Sequence, residues 1–236
     1  MKKTAIVLLI VILAIGGSLF YLWRQATRLP EWYTGRNAAS DGTVITYGKG
    51  MEDVRRSLEQ TVEDQLQKSS LSSRQVKVAL DEDDANKLFA AIISENAGTY
   101  QYLNAIKASR TVIKDGSLDF GVVVDASEMF KDALGQGDKG AGAEAIPLSG
   151  LLQGRELSLG LKGKYGVKDG RLQLDKEGRI RIGALSFSLK KITNRLGISD
   201  DQLKKTLKKI ELGKFKMDNL EAVQNKLLLK GSYPYP

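Results

Sequence analysis

The residues best placed to do chemistry are few. Asp81-Glu82-Asp83-Asp84 could hold Ca²⁺ or Mg²⁺ through carboxylate oxygens, but adjacent side chains cannot converge on one ion and no EF-hand spacing follows. Acidic residues in a first helical turn complement the macrodipole, so capping is the simpler account. Gly135-Gln-Gly137-Asp-Lys-Gly140 matches G-x-G-x-x-G, yet it follows an apparent helix rather than joining a strand to one, and it reads as a plain loop. Histidine and cysteine are both absent. That removes Ser–His–Asp triads, thiolate nucleophiles, His- or Cys-ligated zinc and disulfides. Carboxylate pairs and Ser–Lys dyads survive in principle, but no pair is marked. No catalytic residue, metal ligand or cofactor site is therefore assigned.

One basic cluster stands out. In the expected helix 199–210, Leu203, Leu207 and Ile210 share a narrow sector, and Lys204, Lys205, Lys208 and Lys209 take the opposite side. These lysines are candidates for contact with an anionic surface; a core helix with a solvated outer face explains the same pattern. The formal charge is +8. That surplus is too modest to mark a nucleic-acid binder.

Location rests on the first residues. Ala5 to Trp23 reads AIVLLIVILAIGGSLFYLW, without charge or proline. As a helix it would rise about 28 Å, close to the hydrocarbon thickness of a bilayer. Tyr21 and Trp23 suit the interface, and Arg24 and Arg28 follow. A cleaved signal peptide is the alternative, but its apolar region should be shorter. The reading is a short tail (1–4), a transmembrane anchor (5–23), a linker (24–48) with Trp32 and Tyr33 against headgroups or the domain, and an extramembrane domain (49–236). Positive charges nearly balance across the span; the short tail favours an exported domain.

The domain reads as α+β. Met51, Val54, Leu58, Val62 and Leu66 trace one helical stripe. Val76, Val78 and Leu80 alternate as a strand, and a helix opens at Asp81–Asp84. Alternating residues on both sides of Asp115-Gly116, and again on both sides of Asp169-Gly170, predict hairpins. Ile180 and Ile182, then Leu185 and Phe187, suggest a third strand pair whose parity changes across Gly183, as at a bulge or bend. Phe215 with Met217, and Leu227 with Leu229, could close the sheet. The expected architecture is an elongated, curved antiparallel sheet with two or three packed helices, preceded by one transmembrane helix.

The N-terminal span, Val76-Lys-Val-Ala-Leu-Asp-Glu-Asp-Asp-Ala-Asn-Lys-Leu-Phe89 and Ile182-Gly-Ala-Leu-Ser-Phe-Ser-Leu189 together resemble the YpmS-like family of bacterial membrane-anchored proteins. The Gly-rich stretch 135–150 departs from that pattern. The resemblance implies an exported domain whose long sheet is similar to that of tubular lipid-binding domains, and it carries over no catalytic residue.

Three functions follow as expectations. The first is non-catalytic binding of lipid or another apolar ligand at the membrane surface, with envelope maintenance as a role, through a groove at Phe120, Val122, Leu159, Leu161 and Phe187, chosen by strand parity. The second is a scaffold docking a membrane protein complex. The third is an envelope enzyme using carboxylates or a Ser–Lys pair. An enclosed apolar cavity would mark the first, an exposed apolar patch the second, and converging carboxylates or a Ser–Lys contact the third.

Overall fold

The computed structural model describes residues 17–18, 20–34, 44–47, 51–68, 75–95, 103–129, 154–168, 171–175, 177–196, 211–212 and 215–232. The chain is α+β, and every strand pairing is antiparallel. The helices are α1 (20–26), α2 (Glu31–Thr34), α3 (Met51–Lys68), α4 (Glu82–Glu95), α5 (Ala126–Met129) and α6 (Leu189–Leu196). The strands are β1 (Val44–Thr46), β2 (Gln75–Leu80), β3 (Ile106–Lys114), β4 (Ser117–Asp125), β5 (Glu156–Gly163), β6 (Tyr165–Lys168), β7 (Arg171–Leu174), β8 (Arg179–Ile182), β9 (Leu185–Ser188), β10 (Glu211–Leu212), β11 (Phe215–Val223) and β12 (Lys226–Ser232).

They form two sheets and a ribbon rather than one sheet. Sheet A runs β1-β3-β4-β5-β8-β9, sheet B runs β10-β11-β12-β2, and β6 pairs only with β7. The expected strand through Leu157–Tyr165 breaks at Lys164. A Cβ on Gly163 would crowd the Leu174 side chain, so glycine there lets the ribbon cross the end of β5. The Asp115-Gly116 turn holds both residues at positive φ, 53° and 69°, as a two-residue hairpin with the right twist requires. Gln224-Asn225 does the same between β11 and β12.

Helices α3 and α4 pack on each other, and α4 touches strands of both sheets. The main core joins Leu58 and Val62 of α3, Leu88 and Phe89 of α4, Leu118 and Phe120 of β4, and Phe215, Leu227 and Leu229 of sheet B. Phe89 stacks on Phe120 with ring centroids 5.1 Å apart. Polar contacts fix the register of α4 on β3. Asp81 caps the helix, its carboxylate accepting from the Asp84 amide at 2.9 Å. The Glu82 carboxylate accepts the Ile113 amide at 2.9 Å. Asn86, fully buried, donates to the Ser109 carbonyl and accepts from the hydroxyls of Ser109 and Thr111. On the outer side of β2, the Gln65 amide exchanges two 2.8 Å bonds with the backbone of Ala79, standing in for a missing strand.

Among the described residues no helix is long and apolar enough to cross a membrane; residues 5–16 and 19 of the expected anchor lie outside them.

Candidate functional site

Strand register decides which side chains share a face. On one side of sheet A, Phe120 of β4 pairs with Leu161, Leu161 with Ile180, and Ile180 with Phe187. Two residues away lies a parallel row of Val122, Leu159, Ile182 and Leu185. The five candidate residues, Phe120, Val122, Leu159, Leu161 and Phe187, thus fall on one face, and Ile180, Ile182 and Leu185 complete it. The β8–β9 connection explains the completion. Gly183-Ala184 is a two-residue turn, not a bulge, so Ile182 and Leu185 face each other across it despite the change of parity.

Burial differs between the rows: Val122, Leu159, Ile182 and Leu185 are all half-buried, whereas the first row runs from buried to exposed residues with Ile180 half-buried among them. Phe120 is 7 % exposed under α4, whereas Leu161 is 37 % and Phe187 39 % exposed. The residues on β5, β8 and β9 therefore make an apolar shelf open to solvent at the edge of the sheet. Two rows about 7 Å apart, on strands about 4.8 Å apart, give an extended strip rather than a compact pit.

The opposite face of sheet A is polar and carries a strap. Residues 23–34, within the stretch read as linker, lie on the domain. The Ala184 amide donates to the Gln25 carbonyl at 2.9 Å. A Cβ on Gly183 (φ 56°) would overlap the backbone oxygens of Gln25 and Ala26, so the glycine serves both the turn and the docking. Trp32 lies against Gly121, and the Arg155 guanidinium sits 5.7 Å from the Trp23 ring centroid. The Tyr33 hydroxyl donates to Glu156 at 2.8 Å. Burial first, then the Glu156 hydrogen bond and its charge, push the Tyr33 pKa up to about 12.

Between strap and sheet is a cavity of about 340 Å³. Its walls include Arg28 and Trp32 of the strap, and Arg110, Asp119, Ser158 and Arg181 of the sheet. Arg181 forks onto Asp119 with two hydrogen bonds of 2.8 and 2.9 Å. That reach requires Gly160, since a Cβ there would stand only 3.0 Å from Arg181 Nη2. The side chain lies flat across β5 to a carboxylate two strands away. Sequence spacing gave no hint of this pair, because Asp119 and Arg181 are 62 residues apart and meet only through the β4-β5-β8 register.

The remaining candidates divide simply. Asp83 and Asp84 both contact Lys87 Nζ, at 2.7 and 3.1 Å. Burial alone would lower the Lys87 pKa, but these two carboxylates outweigh it and raise it. Among the described residues no group of acidic side chains is arranged to hold a metal ion. Lys204, Lys205, Lys208 and Lys209, and the glycines of 135–140, lie outside the described residues. No known family model, curated protein or solved structure matches the chain.

Proposed function

We propose that the chain is a non-catalytic, membrane-anchored protein that holds a lipid acyl chain along the apolar shelf of β5, β8 and β9. The observation that carries this reading is the pair of cross-strand apolar rows, half-buried over β5, β8 and β9 except at Leu161 and Phe187, which are exposed. Leaving such a strip uncovered forgoes about 25 cal/mol for each square ångström, and an acyl chain is a flexible apolar strip that would cover it.

An acyl chain is favoured as occupant by what lies beside the shelf. The Gln25 carbonyl of α1 is bonded to the tip of the β8–β9 hairpin, next to the Ile182–Leu185 row. Phe20, Tyr21 and Leu22, the last residues of the apolar segment before Trp23, are exposed at the other end of α1. With residues 5–23 in a bilayer, the tip of the shelf would stand close to the lipid surface. The openness of the shelf meets the criterion for the second reading, a docking surface for a membrane protein, since that reading calls for an exposed patch rather than a closed cavity; the acyl reading rests instead on the place of the shelf beside α1.

The test is photocrosslinking of the full chain, reconstituted in vesicles with a phospholipid carrying a photoreactive acyl chain. Label on peptides of β5, β8 and β9, lost in the Leu161→Lys/Phe187→Lys double variant, is the expected result. The two side chains are partly exposed, so each change should alter stability by no more than about 0.5 kcal/mol. Label confined to residues 5–23 in the wild type would remove the acyl reading and leave the protein-docking one.

A further inference from the structure

We infer that the outer edge of sheet A, formed by β9 with Arg179 of β8 and the first turn of α6, is a contact surface for anionic lipid headgroups. This contact presupposes the membrane-anchored reading of residues 5–23, and it stands apart from what the shelf holds.

The positive surplus of the chain is not spread evenly. Residues 179–196, which make β8, β9 and α6, contain five basic residues and no acidic one. Helices α3 and α4, by contrast, carry nine acidic and four basic residues. Of the five, Arg181 is neutralised by its fork onto Asp119. Arg179, Lys190 and Lys191 are exposed, and among the described residues no carboxylate pairs with them. Asp175 and Glu177, in the turn before β8, offset part of this charge. Arg179 is also aimed. Its Nε donates to the Ser186 hydroxyl at 2.9 Å, which draws the guanidinium over β9 and leaves its remaining N–H groups to solvent.

An independent observation is the apolar residue at the same edge. β9 ends sheet A, paired with β8 alone, and Phe187 on it is 39 % exposed. An exposed aromatic beside cations suits the boundary of a bilayer, where the ring meets acyl carbons and the cations meet phosphates. Cations also guard an edge strand against pairing with another chain, but that role calls for no exposed aromatic. Position agrees. The β8–β9 turn is bonded to Gln25 of α1, so the edge begins where the chain leaves the expected anchor. β9 has four residues, a length of roughly 13 Å, and a lean of the domain toward this edge brings all of it to the headgroups. Each cation near an anionic surface favours contact by about fivefold, so the three together supply on the order of a hundredfold.

The chain contains no cysteine, so Ser188→Cys takes a single nitroxide label at the edge. The full chain is reconstituted in phosphatidylcholine vesicles with and without phosphatidylglycerol. Flotation reports anchoring, and the accessibility of the label to a water-soluble relaxation agent reports contact. Accessibility should fall severalfold on the anionic vesicles alone. It should return to the neutral-vesicle value at high salt and in the Arg179→Gln/Lys190→Gln/Lys191→Gln variant. Lys190→Gln/Lys191→Gln, which keeps the Arg179–Ser186 bond, should lose part of the effect, and the melting temperature checks that each variant is folded. A label that reads alike on both vesicles, while the chain floats with both, overturns the contact. So does a triple variant that keeps the full shift. Protection that rises with protein density in neutral vesicles overturns it in favour of a second copy at the edge. A chain that floats with neither vesicle overturns the anchor reading, and this contact with it.

Discussion

Replacing Gly183 tests whether the strap is held where the structure places it. Gly183→Asn is the informative change, because asparagine tolerates the positive φ of 56° at this turn position while still bringing a Cβ. That carbon would overlap the backbone oxygens of Gln25 and Ala26. Restoring ordinary contact requires the strap to withdraw by roughly an ångström. The 2.9 Å bond from the Ala184 amide to the Gln25 carbonyl would then stretch past the length at which it counts as a hydrogen bond. Losing it costs about 1 kcal/mol net, or up to about 3 kcal/mol if the amide stays buried. The population of released strap should rise by roughly fivefold to a hundredfold. Both tryptophans of the chain, Trp23 and Trp32, lie in the strap, so intrinsic fluorescence reports it directly. Tryptic cleavage after Arg28 gives a second readout that follows the open population when reclosing is fast. Gly183→Ala, which adds αL strain to the same overlap, should release at least as much. Wild-type fluorescence and a cleavage rate within twofold of wild type in Gly183→Asn would refute the docking argument.

Two further outcomes rest on the interior. Asn86→Leu should destabilise the domain by about 2–4 kcal/mol in a denaturant titration, since it removes the hydrogen bonds to Ser109 and Thr111 and leaves those buried groups to find new partners. Tyr47 is half-buried with its hydroxyl inside, and that burial raises its pKa to about 12 against a weaker lowering by Ser109. The unfolded chain would lose that proton near pH 10 and the folded one near pH 12. The contribution is thus fully present below pH 10 and falls away between pH 10 and 12, by roughly 2–3 kcal/mol, and Tyr47→Phe should flatten that part of the stability profile.

How much of this was legible in the sequence depended on the range of the interaction. Asp115-Gly116 announces its hairpin because the turn depends on two adjacent residues. The stripe of α3 and the acidic start of α4 are equally local. Parity correctly placed Phe120, Val122, Leu159, Leu161 and Phe187 on one face, yet Ile180, Ile182 and Leu185 were passed over, because a change of parity alone does not separate a bulge from a two-residue turn. β1 is three residues long and offers too little alternation to be seen. The Arg181–Asp119 fork and the strap depend on Gly160 and Gly183 being bare, and a glycine does not say which distant group will approach it. Trp32 and Tyr33 could have met headgroups or the domain; packing against Gly121 and bonding to Glu156 put them on the domain.

The pairing of β2 with β12 has a consequence for how the chain must fold. Leu80 meets Leu227 across that ladder, about 150 residues downstream, and β12 is an inner strand of sheet B. Until β12 has left the ribosome, β2 has no neighbour on that side, and the apolar sides of α3 and α4 have only part of their cover. At roughly 5–20 residues per second, that interval lasts several seconds to tens of seconds. The closing step is therefore late and non-local, and a truncation that removes β12 takes away the centre of the second sheet rather than a dispensable tail.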